Sequence, residues 1–291
     1  MRILDQFEYS DTFSKAEQAI IQWILLHKED VLSLSTNDLA LKTFTSPATI
    51  VRLCQKLGLK GYNDFKIKLS GELEYLAMHN GKVDVNYPFN KEDDLKTITE
   101  RLAQLSKDSI DETLALLDYN ELEKIVNTLY NAKQIDIYAT SFPLSYAVDF
   151  QLRMMHIGVH VNLCQLHGEP VFQALNANAD HCAIVISYSG QTSSLIDIMK
   201  ILEKNNAKII SITSIGNNPI VSFSHYHLRV SSREKIRSKI ANYSSHASIT
   251  LLLDILYSAY FSKQYEKNVI YKVYREKKID LRRSKLIAID D

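Results

Sequence analysis

The chain has 291 residues, which is long for one average domain and comfortable for two. Apolar residues make up 46% and charged residues 23%, which excludes a disordered chain. Eight glycines and five prolines exclude collagen-like and linker-dominated architectures. The 34 basic side chains balance the 34 acidic ones, so the net charge favours no particular class of partner.

The cysteines and the apolar segments indicate the cellular compartment. Cys54, Cys164 and Cys182 are far apart and form no C-x-x-C pair, which favours reduced thiols over a disulfide framework or a zinc site. The start of the chain lacks the apolar core of a signal peptide, and no uncharged apolar run approaches the length of a membrane span. No Walker loop or G-x-G-x-x-G motif is present. We therefore expect a cytoplasmic protein without membrane contact, metal or cofactor.

Residues 1–76 show only helical periodicity. A capping box at residues 14–17 begins one helix, and two short helices follow over residues 36–43 and 46–57. Only Phe44 and Thr45 separate these two helices. So tight a turn fits the DNA-binding helix-turn-helix, whose second helix enters the major groove.

The second helix of this pair has a polar face suited to DNA. Between residues 42 and 68 there are six basic side chains and one acidic side chain, Asp64. A local basic stripe on a recognition helix is the electrostatic signature of DNA binding. Capped amphipathic helices also occur in ordinary four-helix domains, so the pattern alone leaves a plain helical domain as the alternative. The predicted DNA contacts are Ser46, Thr49, Arg52, Gln55, Lys56 and Lys60.

Beyond a linker the periodicity changes. Short apolar runs at residues 135–139, 159–163, 182–187, 208–213 and 226–230 alternate with helical segments. This alternation predicts βαβ units and a parallel sheet covered on both faces. Apolar helices near residues 95–117 and 243–261 suit either a dimer surface or a core. The predicted segments are a helical domain at 1–76, a linker at 77–94, an α/β domain at 95–265 and a basic tail at 266–291.

A serine-rich loop follows the apolar run that ends at Ile186. Its sequence is Ser187-Tyr188-Ser189-Gly190-Gln191-Thr192, and a helix follows. The loop leaves the carboxyl end of a central strand, where α/β sheets bind ligands, and Thr192 suits the cap of the next helix. Hydroxyl groups beside a helix N-terminus favour an anion. An ordinary strand–turn–helix junction is the alternative.

The helical domain resembles a known family. Residues 46–62 read SPATIVRLCQKLGLKGY, preceded by Leu39-Ala40 and followed by Phe65-Lys66. This run is similar to the S-x-A-T-I-x-R-F-x-x-K-L-G-x-x-G-F pattern of RpiR regulators, which are bacterial transcription regulators of sugar catabolism. The resemblance implies binding to double-stranded operator DNA. A single helix-turn-helix makes too few contacts for tight, specific binding, so we expect a homodimer or a higher homo-oligomer that reads two half-sites.

The α/β domain resembles the sugar isomerase (SIS) domain, which RpiR regulators carry after the helix-turn-helix. The motif S-x-S-G-x-T at residues 187–192, the run at 209–213 and Asn218-Pro219 carry this resemblance. It implies an α/β sandwich that binds phosphosugars. By this likeness the ligand residues are Ser187, Ser189, Gln191 and Thr192, with Ser245 and His246 where the pocket closes.

One loop departs from the family pattern. After the first strand the family usually has G-x-G-x-S, whereas residues 139–145 of this chain read ATSFPLS. Both glycines are replaced and a proline is present, so we expect a different loop shape and an altered ligand preference. Ser141 and Ser145 remain candidates for ligand contact.

The sequence therefore predicts a sugar-phosphate-responsive transcriptional regulator of carbohydrate genes, not an enzyme. One alternative is a phosphosugar isomerase fused to a DNA-binding domain, because a fold does not guarantee a function. The other is a DNA-binding dimer whose SIS-like domain binds no ligand. His225 and His227 have no third metal ligand at a familiar spacing. Acid–base groups for an isomerase are available at His167, Glu169, Glu234 and His246.

Overall fold

A computed structural model describes residues 3–7, 13–78, 83–166, 168–216, 218–231 and 233–279. The chain folds as two compact units, residues 1–93 and 94–291. A helical unit followed by an α/β unit with a parallel sheet is the predicted fold class, and it is confirmed. The exact boundaries of the linker remain a prediction. No helix within the described ranges is both long enough and apolar enough to cross a membrane.

The first unit is built from capped helices around one apolar core. Ser14 and Glu17 form a reciprocal capping box, and Ser35 and Asp38 form a second one. Ser46 caps a helix that has proline at its first position. The core side chains include Ile20, Leu39, Ile50, Leu53 and Phe65. The helices are α1 Ile3–Gln6, α2 Lys15–Leu26, α3 Asp30–Ser33, α4 Thr36–Lys42, α5 Pro47–Lys56 and α6 Tyr62–Met78.

The second unit is a five-stranded parallel sheet with helices on both faces. It begins with α7 Leu95–Ala115 and α8 Tyr119–Asn131, followed by β1 Gln134–Ala139, α9 Phe142–His156, β2 Val161–Leu163, α10 Pro170–Leu175 and β3 His181–Ile186. It continues with α11 Ser193–Lys204, β4 Lys208–Ser214, α12 Pro219–Phe223, β5 Tyr226–Val230, α13 Tyr243–Ser262 and α14 Tyr265–Ile279. The strand order is β2-β1-β3-β4-β5, so the topological switch point lies between β1 and β3.

Each face of the sheet has its own apolar layer. Side chains of β1 alternate, so Ile135 and Ile137 join the layer of α8, α9 and α13, whereas Tyr138 joins the layer of α10, α11 and α12. Burial on both faces explains why the strands read as continuous apolar runs. Helix α13 belongs to this core, since Leu252 and Leu256 are fully buried in the first layer. The apolar side of the predicted helix 243–261 is therefore core.

The predicted basic tail begins as a helix. Residues 265–279 form α14, and the Tyr271 hydroxyl lies 2.7 Å from the position that a Cβ at Gly158 would occupy. Gly158 has φ +80° and ends α9, so glycine is required there both for its conformation and for the close approach of Tyr271. The remainder of the predicted tail, residues 280–291, lies outside the described residues.

Candidate DNA-binding and ligand-binding sites

Helices α4 and α5 form the helix-turn-helix. Leu39 and Ala40 of α4 and Ile50 and Leu53 of α5 are all buried in one core, which fixes the angle between the two helices. The opposite side of α5 is exposed. Of the predicted DNA contacts, Thr49 is half-buried, and the others are exposed: Ser46, Arg52, Gln55, Lys56 and Lys60.

The first turn of α5 is held by two of these side chains. The Ser46 hydroxyl accepts the Thr49 N–H at 3.2 Å and lies 2.9 Å from the Thr49 hydroxyl. The Ser46 hydroxyl therefore caps the helix, and the Thr49 hydroxyl is hydrogen-bonded to it. The long exposed side chains that follow them on this face are Arg52 and Gln55.

Three of the six bases in this region contact their own unit. Lys56 Nζ lies 3.1 Å from a Glu17 carboxylate oxygen and 4.9 Å from the centre of the Phe13 ring. Lys42 lies over the Trp23 ring, and Lys66 donates to a backbone carbonyl. The structure thus divides the predicted basic stripe into three bases that contact the unit, of which Lys42 and Lys56 remain exposed, and three exposed bases without such a contact among the described residues. The exposed bases of this second group are Arg52, Lys60 and Lys68.

In the second unit, the serine loop makes a tight turn after β3. The Gly190 N–H donates to the Ser187 carbonyl at 3.0 Å, and the Gln191 N–H donates to the Ser189 hydroxyl at 3.2 Å. The Ser187 and Thr192 hydroxyls lie 2.9 Å apart. Thr192 occupies the N-cap position of α11, but its side chain makes no capping bond there, so its expected capping role is wrong. Its hydroxyl instead joins the loop.

A buried amide supports this loop from below. Gly190 has φ +63°, and a Cβ there would lie 2.1 Å from the side chain of Asn218. Asn218 donates to the Thr213 hydroxyl at 3.0 Å, and that hydroxyl lies 2.7 Å from His227 Nε2. Burial, aided by the charge of Arg229, lowers the pKa of His227 to about 4, so the ring is neutral near pH 7.

A second group of bonds joins the loop to the start of α13. The Tyr188 hydroxyl donates to the Glu234 carbonyl at 2.7 Å. The buried Glu234 carboxylate accepts the Ser245 N–H at 2.9 Å, the Ser245 hydroxyl at 2.8 Å and the Lys239 ammonium at 2.5 Å. The exposed His246 ring lies 4.8 Å from the Tyr146 ring of α9. Ser245 and His246 thus come to the same edge of the sheet as the serine loop.

The loop after β1 neighbours the serine loop, because Ala139 and Ile186 are paired at the ends of their strands. Ser141 has φ +60° and ψ −135°, a conformation that glycine favours. It stands where the resemblance expects the second glycine, so this loop keeps a glycine-type backbone without a glycine. The Ser145 hydroxyl donates to the Phe142 carbonyl at 2.8 Å.

Sequence reasoning missed four participants in this site: Tyr146, Tyr188, Lys239 and, as a supporting residue, Asn218. Tyr188 lies within the S-x-S-G-x-T motif, so its position in the sequence could have identified it as part of the site. Lys239 lies in an aperiodic polar segment that gives no comparable signal. Its contact with Glu234 depends on the path of the chain after β5.

The other candidate metal ligands and acid–base residues each have their own surroundings in the structure. His227 contacts Thr213, whereas His225 Nδ1 accepts the Ile209 N–H at 3.2 Å, so the two rings have separate partners. Among the described residues, no group of three His, Cys, Asp or Glu side chains is placed to hold a metal ion. Glu169 is exposed, and His167 lies outside the described residues.

Comparison with known proteins gives the same two halves. The helix-turn-helix domain of the rpiR family matches residues 1–75, and the SIS domain matches residues 128–259. An uncharacterized HTH-type transcriptional regulator from Caldanaerobacter subterraneus subsp. tengcongensis is 32% identical over 264 residues, which cover 91% of this chain and 92% of that relative. A similarly described regulator from Clostridium perfringens is 26% identical, with 94% of this chain and 97% of the relative covered.

The fold is shared with a solved structure that spans both units. The Vibrio vulnificus NanR protein complexed with ManNAc-6P has a TM-score of 0.62 and 24% identity, with 96% of this chain and 99% of that chain covered. The sugar isomerase domain of an RpiR transcription factor from Sphaerobacter thermophilus has a TM-score of 0.55 and 12% identity, and covers 62% of this chain and 98% of its own. At these identities the likeness establishes the fold.

Proposed function

This chain belongs to the RpiR family of helix-turn-helix transcriptional regulators, and we propose that it is a sugar-phosphate-responsive regulator of carbohydrate-metabolism genes. One observation carries the effector half of this proposal. The Ser187, Ser189 and Thr192 hydroxyls follow β3 at the topological switch point, beside the N-terminus of α11. Parallel sheets bind ligands at such points, and a helix N-terminus favours a phosphate.

On the DNA side, the protein docks α5 in the major groove of double-stranded operator DNA. Arg52 and Gln55 read base edges, and Lys60 contacts phosphate. Ser46 and Thr49, in the first turn of the helix, also face the base edges, and Lys56 contributes a weaker phosphate contact because Glu17 partly neutralises its charge. A homodimer in the cytoplasm supplies two such helices for two half-sites.

In the effector site, the phosphate is held by Ser187, Ser189, Gln191 and Thr192, and the sugar lies toward Ser141, Ser145, Ser245 and His246. The complex of the V. vulnificus protein with ManNAc-6P supports a phosphorylated sugar as the ligand class, since the two chains share a fold. The ligand binds one arrangement of the dimer more tightly, and so changes the spacing of the two recognition helices. Its effect on DNA affinity is no larger than its preference between the two arrangements.

Phosphosugar isomerisation is the second candidate function, favoured by a carboxylate and an imidazole, Glu234 and His246, at the same edge of the sheet as the serine loop. Glu234, however, already accepts bonds from Ser245 and Lys239 and is buried among them. A general base must reach a substrate proton, which this arrangement opposes. Assaying fructose and ribose phosphates for turnover tests this candidate directly. A third possibility, a SIS-like domain that binds no ligand, predicts that no sugar phosphate raises the thermal stability of the protein.

The testing experiment is a fluorescence-anisotropy titration on DNA from upstream of the gene and its adjacent operon, over a salt series, with and without a panel of sugar phosphates. We expect sequence-selective binding that one sugar phosphate shifts. Arg52→Ala should weaken binding by about 1–3 kcal/mol if Arg52 reads a base edge. Ser189→Ala should leave DNA binding intact and reduce the ligand response. Selective binding that no sugar moves would reject the effector half, and the absence of selective binding would reject the DNA half.

A further inference from the structure

The turn between α4 and α5 contains an exposed aromatic residue in a backbone conformation that aromatic residues rarely adopt. Phe44 has φ +52°, and it follows Thr43, the C-cap of α4. The Phe44 N–H donates to the Leu41 carbonyl at 3.3 Å, and the Thr45 N–H donates to the Ala40 carbonyl at 2.9 Å. This pair of bonds is a Schellman motif, in which the residue with positive φ is usually glycine.

Three other helices in the described part of the chain end in the same pair of bonds. In α5 the residue with positive φ is Gly58, in α9 it is Gly158, and in α11 it is Asn206. Glycine and asparagine are the two residues that tolerate this conformation best. Phe44 is the exception among the four, so the helix end alone does not account for a phenylalanine at this position.

Packing of the ring does not compensate for the cost of this backbone conformation. The Phe44 side chain is 97% exposed, and its neighbour Leu41 is 75% exposed. Phenylalanine normally stabilises a protein by removing its large apolar ring from water. Within this unit Phe44 therefore has neither a favourable backbone conformation nor a buried ring. This combination points to a partner outside the unit.

Its location indicates what that partner is. Phe44 stands two residues before Ser46, the N-cap of α5, and Lys42 and Arg52 lie on either side of it in the sequence. In a helix-turn-helix, this end of the second helix faces the base edges of the major groove. The apolar group on those edges is the thymine methyl, which phenylalanine contacts in protein–DNA complexes.

We infer that the Phe44 ring packs against a thymine methyl group of the operator and so contributes to sequence preference. The inference rests on the proposed DNA binding, and it adds to the predicted contacts a residue that carries no charge and donates no hydrogen bond. A contact of this kind has a specific signature. It depends on the methyl group of one base and does not change the number of counterions released on binding.

The test combines protein variants with modified DNA. Phe44→Gly removes the ring and relieves the backbone, so we expect the affinity for the selected operator to fall roughly tenfold, with an unchanged salt dependence. The midpoint of thermal unfolding should rise by about 4 °C or more. Replacing each operator thymine by uracil removes one methyl group at a time. One such replacement should weaken the wild type several-fold and leave the Phe44→Gly variant unaffected.

Controls separate this inference from the proposed function. Phe44→Tyr keeps the ring and should retain most of the affinity, whereas Phe44→Asn accepts the backbone conformation and should behave like Phe44→Gly. Leu26→Ala removes a side chain that is 80% exposed on α2 and should change neither affinity nor the uracil profile. If the wild type binds selectively and Phe44→Gly binds equally well, the inference alone fails. A loss for Phe44→Gly with no uracil-sensitive position overturns the thymine contact, and no selective binding by the wild type rejects the proposed function itself.

Discussion

The turn at Phe44 in the helical unit and the loop at Ser141 in the α/β unit each hold a non-glycine residue in a conformation that glycine favours. One turn begins the recognition helix, and the other follows β1 beside the serine loop. Away from these two places, the helix ends at Gly58 and Gly158 use glycine for the same purpose. Strained backbone conformations cluster at functional sites in proteins, and these two positions lie at the two candidate sites, whereas Asn206, which also has positive φ, lies at the end of α11.

The two positions differ in how the backbone is held. Phe44 lies in a Schellman motif whose two hydrogen bonds define the turn, so its cost is that of a side chain in the left-handed region. Ser141, at ψ −135°, lies outside that region in a conformation open mainly to glycine. At Phe44 the conformation affects which side chain is presented to a partner, and at Ser141 it affects the shape of a loop. Substitutions to and from glycine test both.

The largest effect is expected where glycine is present and necessary. In Gly190→Ala the new Cβ would meet the Asn218 side chain at 2.1 Å, and φ +63° disfavours alanine. We expect a loss of roughly 2–5 kcal/mol in the free energy of unfolding, together with loss of the sugar-phosphate response. Gly61→Ala is the matched control, because nothing lies within 4 Å of a Cβ there. Denaturant unfolding measures both, and equal stabilities would contradict the described packing of Asn218 on the loop.

The His227 ring beneath the same loop predicts an acid sensitivity of the α/β unit. Its pKa is about 4 in the folded protein and 6.5 ordinarily, so the unfolded chain binds the proton more readily between these values. Above pH 6.5 the neutral ring therefore contributes about 3 kcal/mol to the free energy of unfolding. This contribution is lost as the pH falls toward 4. His227→Gln should flatten that part of the profile of unfolding free energy against pH. Identical slopes for variant and wild type would show that the ring is not held neutral.

Ser141→Gly should stabilise the protein. Glycine relieves the φ +60° conformation at Ser141, and we expect a gain of roughly 1–2 kcal/mol in the free energy of unfolding. Ser145→Gly is the control of opposite sign, since that serine lies within α9 and glycine weakens a helix interior by about 0.5–1 kcal/mol. A loss of stability in both variants would show that the Ser141 conformation is not strained. Ligand titration of the same variants reports whether the relieved loop changes the sugar preference.

The smallest effect is expected at Asn206, the remaining non-glycine residue with positive φ in the described chain. Asparagine already tolerates the left-handed region, and glycine adds freedom to the unfolded chain, so the two contributions nearly cancel. Asn206→Gly should change the free energy of unfolding by less than about 0.5 kcal/mol. Thermal unfolding of the Asn206→Gly and Phe44→Gly variants, measured side by side, compares the two positions. A gain as large as that of Phe44→Gly would remove the distinction between an ordinary helix end and the turn before α5.

Much of this architecture could be predicted because its causes are local. The capping boxes join residues three apart, and the buried strands are visible as apolar runs. The serine loop was found from its position after such a run. The expected capping by the Thr192 side chain was wrong, because the Ser187 hydroxyl, itself placed by the fold, engages it instead. The individual contacts predicted for DNA and ligand remain proposals.

Local sequence was sufficient to predict a helical unit followed by an α/β unit, and the starts of several capped helices, because nearest neighbours and periodicity set these properties. The folded chain was needed to show which of those residues are available. Glu17 approaches Lys56 across 39 residues of chain, and Tyr188 reaches the Glu234 carbonyl across 46. Contacts between residues so distant in sequence depend on how whole elements pack. No local pattern encodes them, which is why the exposed Phe44 ring and the Asn218 support of the serine loop became evident only in the three-dimensional structure.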